Sequence, residues 1–500
     1  MLERIRSRRV GCPAVERRDS ESIIRFGAVA AFCVGADLLL PTPLSLETAA
    51  LIYLCFSAWL SLAEGRRATL ILSPVVCYQA WQTATLGLAP LYIAFSYGAE
   101  DFVPFGNWPV PMSRVAYGHA IMTAGSWAFY AGMKHFQPRE LIGDRRPMTA
   151  SRTLLFSFAL GAAFLVLREV VTQFAGSVVA QLSFLPLAVL CMVALNPPKP
   201  LRKSETAQGL VLLGGVACVL FLNARRDSKM EMMFSFVPLV WWLLQRRKIG
   251  MVLGAGPALA AVYLIGIAPL VTAMRNSGAR TETGSVAIIT PDVTDRAVQQ
   301  LREKYSSNPL DYVRQWTDMT MSRLCDPVAA GMVVWITDQQ GFLNGSGFDY
   351  VPMTLIPRAL WRDKPFIDRG REFTAILGWA ADASVATTST GQTAAGELFW
   401  NLGWPGVIAG MYALGAAVAG FWWRSAGVDP RRGLLEMTAY VGAMLSFVLG
   451  SGAAAGPVFV GCITAGLFFR VMFRLRQWLF PWKSTRHDLR VGRPQRPAIG

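Results

Sequence analysis

The chain has 500 residues, of which 53% are hydrophobic and 16% charged, with a mean hydropathy of +0.37. A soluble protein of this length divides into several domains and carries about 25% charged residues, so the composition argues against that class. The net charge of +16 would suit nucleic acid, but the basic residues are spread along segments that flank apolar runs. Anionic lipid headgroups are therefore the expected partner and nucleic acid is not.

Twelve apolar runs recur along the chain, at 23–40, 46–63, 69–95, 115–133, 153–171, 178–195, 208–223, 230–244, 249–271, 403–422, 433–450 and 456–474. A bilayer takes about 20 residues per helical span, so the predicted fold class is an all-α polytopic membrane protein with about twelve spans. The third run is long enough to tilt or bend near Pro90. The first follows a charged leader with no small-residue cleavage site, so it reads as a span and not as a removable signal. The organisation is then a cytoplasmic segment 1–22, spans one to nine within 23–271, a large outer loop 272–402, spans ten to twelve within 403–474, and a basic cytoplasmic tail 475–500.

Orientation follows from Lys and Arg. With the N-terminus inside, the cytoplasmic segments hold 31 of the 48 basic residues, the short outer loops 5 and the long loop 12. That asymmetry is the positive-inside pattern, and it places both termini in the cytoplasm. The long loop carries 12 basic and 14 acidic residues and is nearly neutral. Of eight cysteines only Cys325 lies in it, so it has no disulfide framework.

A loop of about 130 residues is too long to be structureless. "DRAVQQLREKY" and "PLDYVRQWTDMTMSRLCDPVAAGMVVWITDQQ" read as one helix each, the second ending before the glycine-rich "GFLNGSG". The loop is therefore expected to be mainly helical. Next come "FDYVPMTLIPRALWRDKP" and "FIDRGREF", then "ASVATTSTGQTAAG". The chain re-enters the membrane through "ELFWNLGWPGVIAGMYALG". Glu397 and Asn401 lie one helical turn apart there, expected on one face at the membrane surface. Gly403, Gly406, Gly410 and Gly415 would permit close packing below them.

Within 355–365, Arg358, Arg362 and Lys364 surround Trp361 between Pro357 and Pro365. Guanidinium groups suit bidentate capture of phosphate oxygens, with Lys as a point charge beside them and Trp361 as an interfacial anchor. An anchor alone is the bland reading of the same stretch. Arg225 and Arg226 end the seventh run, and Arg168 and Glu169 end the fifth, all on the outer side. Charges at such depths tend to be kept for pairing or function. His119 reads as a packing residue, and Asp37 and Glu100–Asp101 are outward-facing acids that nothing in the sequence groups.

"LIPRALWRDKP", followed by "GELFWNLGWPGVIAGMYALG" and preceded by "SRLCDPVAAGMVVWITD" and "LNARRDSK", resembles the bacterial O-antigen (oligosaccharide repeat-unit) polymerase family. The resemblance covers the order of spans, the large loop and most of the second half; the first six spans match in hydropathy only. Arg362 stands where many members carry proline. The resemblance implies the C-type membrane glycosyltransferase architecture and a bacterial inner-membrane location. It also implies undecaprenyl-pyrophosphate-linked oligosaccharide units as substrates, with a chain-length regulator and a flippase as further partners. The growing chain would pass from its lipid carrier to a sugar hydroxyl of the next unit at the periplasmic face.

Such a reaction needs fixed cations for the pyrophosphate leaving group; the candidates are Arg225, Arg226, Arg323, Arg358 and Lys364, with Arg362 and Trp361 beside them. It also needs a base for the acceptor hydroxyl, for which Glu397 is the first candidate and Asp326 the second; Asn401 is expected to contact substrate. The bland alternatives are an Arg323–Asp326 ion pair and a helix-capping Glu397. No D-x-D or H-E-x-x-H occurs and the three histidines are scattered, so neither metal nor cofactor is expected. The rival readings are an O-antigen ligase, a lipid-linked oligosaccharide flippase or transporter, and a non-catalytic partner in polysaccharide assembly.

Overall fold

A computed structural model of the chain describes residues 13–65, 74–98, 102–105, 108–136, 151–224, 234–246, 291–356, 369–378, 391–425, 433–448 and 455–479, with scattered positions within 232–273 and 361–386. The described residues are mostly helical. In the first half the helices are α1 (Pro13–Leu39), α2 (Leu44–Gly65), α3 (Pro74–Gln82), α4 (Ala89–Tyr97), α5 (Met112–Phe136), α6 (Ser151–Ala180), α7 (Leu185–Leu195), α8 (Glu205–Ala224) and α9 (Val237–Gln245). The second half holds α10 (Pro291–Ser307), α11 (Pro309–Leu324), α12 (Asp326–Gln340), α13 (Tyr350–Leu355), α14 (Arg369–Ile376), α15 (Ala394–Ser425), α16 (Leu434–Ala443) and α17 (Ala455–Leu479).

Among the described residues, five helices are long and apolar enough to cross a membrane by length and composition, over Ser20–Leu39, Leu44–Ser61, Glu205–Asn223, Ala394–Phe421 and Ala455–Arg476. The ninth apolar run, 249–271, is described only at scattered positions. The described residues thus fit the expected all-α membrane class, with five helices of that kind among them.

The third run departs from regular α-helix just before Pro90. A π-helical turn, Thr83–Leu88, joins α3 to α4, with Pro90 just beyond it. Proline has no N–H to give and crowds the carbonyl four residues back, and a wider turn relieves both defects. Beyond α4 lies an antiparallel pair of strands, β1 (Phe102–Phe105) and β2 (Trp108–Pro111), which all-helical reasoning missed. Val103 and Val110 face each other in register and are both fully buried. Pro104, Pro109 and Pro111 are tolerated because no third strand needs their missing N–H.

Two corrections concern the long loop. The stretch expected as one helix over 309–340 is two helices broken at Cys325, because Pro327 cannot donate inside a helix but fits the first turn of a new one. The second of these, α12, lies in the core and not over the surface. Val328, Ala330, Met332, Val333 and Val334 are almost fully buried. It runs antiparallel to α5 at backbone contact: a methyl on Gly118 would overlap the Pro327 carbonyl oxygen, and one on Gly331 would fall 2.6 Å from that of Arg114. Arg114 and Asp338 close one end of this helix pair with an ion pair at 2.6 Å.

The chain also reverses inside α15. Gly403 has φ 64° and ψ −155°, a backbone conformation that side chains disfavour. In an unbroken helix residues 398 and 410 would stand about 18 Å apart. Instead, a methyl on Gly410 would overlap Leu398 Cδ2, and one on Gly406 would lie 2.7 Å from the Leu398 carbonyl oxygen. The limb 394–402 therefore folds back along the limb 404–425. Gly406 and Gly410 supply the close packing expected of them, partly within their own helix; Gly415 packs on the α5 backbone at Phe129 and Met133.

Candidate functional site

The reversal carries Glu397 and Asn401 into the interior: both are fully buried, where a surface position was expected. Thr393 starts the limb, accepting on its hydroxyl from the Gly396 N–H at 3.0 Å, and the Leu343 N–H donates to the Trp400 carbonyl at its end. Asn401 donates from Nδ2 to the Glu397 carbonyl at 2.9 Å, while its Oδ1 has no hydrogen-bond partner.

The Glu397 carboxylate gathers groups from three other segments. The Tyr350 hydroxyl donates to Oε1 at 3.0 Å and the Gly456 backbone N–H to Oε2 at 3.2 Å. Arg369 Nε lies 3.6 Å from Oε1, and its Nη1 pairs with Glu372. The Arg369 guanidinium also stacks over the Tyr350 ring at 4.8 Å. Gly456 stands at the start of α17, where unsatisfied N–H groups and the helix dipole favour an anion. A side chain at that position would strike the Tyr350 oxygen with its first carbon. Burial, and then the Glu397 charge, push the Tyr350 phenol well above its ordinary range, so it acts as a neutral donor. Arg369 thus serves two carboxylates at once.

Asp326 opens α12 next to the Cys325 break, with its Oδ2 shut off from solvent and without a hydrogen-bond partner. Burial lifts its carboxyl to about 7, with the nearby Thr85 hydroxyl acting the other way. Such a group is poised to exchange a proton near neutrality. Arg323, in the last turn of α11, stands three residues away across the same break and is exposed. The α11 helix is held against α4 by Tyr92, whose hydroxyl donates to Asp318 at 2.5 Å.

Arg225, Arg226, Arg358, Arg362 and Lys364 lie outside the described residues, as do Glu100 and Asp101. Trp361 is described as half-buried and in no helix or strand. Among the predicted residues, the structure brings Glu397 beside Asn401, and Arg323 and Asp326 to one helix junction. Tyr350, Arg369 and the N-terminus of α17 are additions that sequence reasoning missed. Their one signal was the spacing of Arg369 and Glu372 at i and i+3 in "DRGREF". No group of three or more His, Cys, Asp or Glu that could hold a metal occurs among the described residues.

Between α5 and the second limb of α15 runs an apolar groove of about 370 Å³, lined by Trp127, Ala128, Ala131, Pro405, Ile408 and Tyr412 among others. Comparisons of the chain with protein-family models, with curated proteins and with solved structures find no match.

Proposed function

We propose that this chain is an integral-membrane glycosyltransferase that polymerises polyprenyl-pyrophosphate-linked oligosaccharide units at the outer face of a bacterial inner membrane. The sequence resemblance in the second half supplies the reaction class. The observation that carries the reading is the junction of α11 and α12, which sets a carboxyl with one oxygen shut off from solvent three residues from an exposed Arg. In this reading Asp326 takes the proton from the acceptor sugar hydroxyl. Arg323 contributes positive charge to the pyrophosphate leaving group, with Arg225, Arg226, Arg358 and Lys364 as further cations. Glu397 is assigned a positioning role. A fully buried carboxylate with both oxygens engaged is better placed to hold Arg369, Tyr350 and α17 together than to meet a sugar hydroxyl. The groove between α5 and α15 suits the hydrocarbon tail of the carrier. The product, whether O-antigen, exopolysaccharide or capsule, shares this chemistry.

The test is made in the native host, with expression of each variant checked. Asp326→Asn and Arg323→Ala are expected to leave single repeat units on the acceptor where the parent gives a ladder. Absence of any attached glycan would favour the ligase reading. A full ladder from both variants would overturn the site.

One observation favours a second reading, a flippase or transporter. Such proteins break helices within the membrane and place ionisable groups there, and α15 reverses at Gly403 while Asp37 and His119 meet inside the bundle. Repeat units trapped on the cytoplasmic side in a loss-of-function variant would decide for it.

A further inference from the structure

His119 and Asp37, 82 residues apart, lie with both side chains fully buried. His119 Nε2 is 2.8 Å from the carbonyl oxygen of Leu86, and Nδ1 is 2.6 Å from Asp37 Oδ2. A carbonyl oxygen can only accept, so Nε2 carries a hydrogen. Leu86 lies in the π turn Thr83–Leu88, four residues before Pro90, which has no N–H to give.

The Nδ1–Asp37 contact then fixes the proton count. If the imidazole were neutral with its one hydrogen on Nε2, and Asp37 were a carboxylate, two lone pairs would face each other at 2.6 Å in a dry interior. The contact is bonding only when one more proton lies between them, on Nδ1 or on the carboxyl. Asp37 Oδ1 has no hydrogen-bond partner that could neutralise the carboxylate instead.

We propose that Asp37 and His119 form a buried proton-binding site, whose single shared proton locks α1, the π turn before α4, and α5 together. The other titratable groups beside it are Cys33 on α1, close to Asp37, and Tyr53 on α2, whose ring centre lies 6.3 Å from that of the imidazole. Cys33 is turned to the Ala49 carbonyl and Tyr53 to Ser126 at 2.8 Å, so neither supplies the missing hydrogen. Loss of the proton leaves acceptor against acceptor, and the lock turns from attractive to repulsive. This inference is independent of the glycosyltransferase reading.

The chain has three histidines, so the whole protein in nanodiscs, labelled with ¹⁵N-histidine, gives a spectrum simple enough to assign through His135→Gln and His487→Gln. At pH about 7 the His119 ring is expected to carry hydrogens on both nitrogens. Alternatively it carries one on Nε2 opposite a protonated carboxyl, seen in the infrared and lost in Asp37→Asn; either is the extra proton. A singly protonated ring opposite an ionised Asp37 would overturn the proposal. Asp37→Asn gives a second readout, because an amide can donate to a bare Nδ1 and satisfy the same geometry without the proton. Between about pH 6 and pH 10 the parent's Tm is expected to fall by several degrees more than that of the variant. Parallel Tm profiles would also overturn it.

Discussion

Tyr350 and Glu397, 47 residues apart, meet at 3.0 Å, and the same carboxylate takes the Gly456 N–H at the head of α17. One buried side chain thereby joins the segment after α12, the re-entrant limb of α15 and the last helix. Arg369 completes the junction from above the Tyr350 ring.

Removing Arg369 strands that carboxylate. Breaking one side of a buried ion pair costs about 3 kcal/mol, whereas neutralising both sides costs less. Arg369→Ala is expected to lower thermal stability clearly in detergent or nanodiscs, and adding Glu397→Gln to recover part of the loss. A double variant no better than the single one would show that the pair is not coupled.

Asp326 predicts two opposite pH responses. As a base it must be ionised, so turnover rises as pH passes about 7 and then levels, and Asp326→Asn removes turnover. Its carboxyl sits above its ordinary value of 3.8, so the unfolded chain gives up this proton more readily. The contribution to stability is full below that value and is lost as pH climbs through about 7. Unfolding of the parent and of Asp326→Asn measured from about pH 4 to about pH 8 checks the sign: the parent should lose stability relative to the variant.

Gly403 tests the reversal. Placing a side chain at φ 64°, ψ −155°, a region that essentially only glycine occupies, costs about 1–3 kcal/mol, so Gly403→Ala should destabilise by that amount. The helix-forming residue would also favour a straight α15, which pulls Leu398 away from Gly410. A cysteine pair at 398 and 410 should crosslink readily in the parent background and weakly once Gly403→Ala is added; equal crosslinking in both would contradict the reversal.

The charge pattern predicts topology. Reporter fusions at the two termini and in 134–152 should read cytoplasmic, and a fusion near 345 should read periplasmic. Any one of these on the opposite side would invert or break the scheme.

Much of the helical framework was legible, because a run such as 46–63 is mostly apolar and a helix satisfies its own backbone. The π turn was half legible: Pro90 announced an irregularity, but not that His119 would meet the Leu86 carbonyl. The burial of α12 was hidden by its short length, since a 15-residue apolar helix reads equally well as a loop element. The reversal at Gly403 was hidden because glycine is common in spans for another reason, close packing. Arg369 was passed over because a denser run of cations stood just before it, at 358–364. Local sequence carries periodicity, and contacts such as Asp37–His119 depend on which helices become neighbours.

Reconstitution puts catalysis at the α11–α12 junction to the test. Purified protein in liposomes is given polyprenyl-pyrophosphate-linked repeat units, and the products are resolved by size. The parent should give a ladder of lengthening chains with release of polyprenyl pyrophosphate, and Asp326→Asn single units only, at unchanged fold. A ladder from that variant, or units moved across the bilayer without being joined, would contradict it.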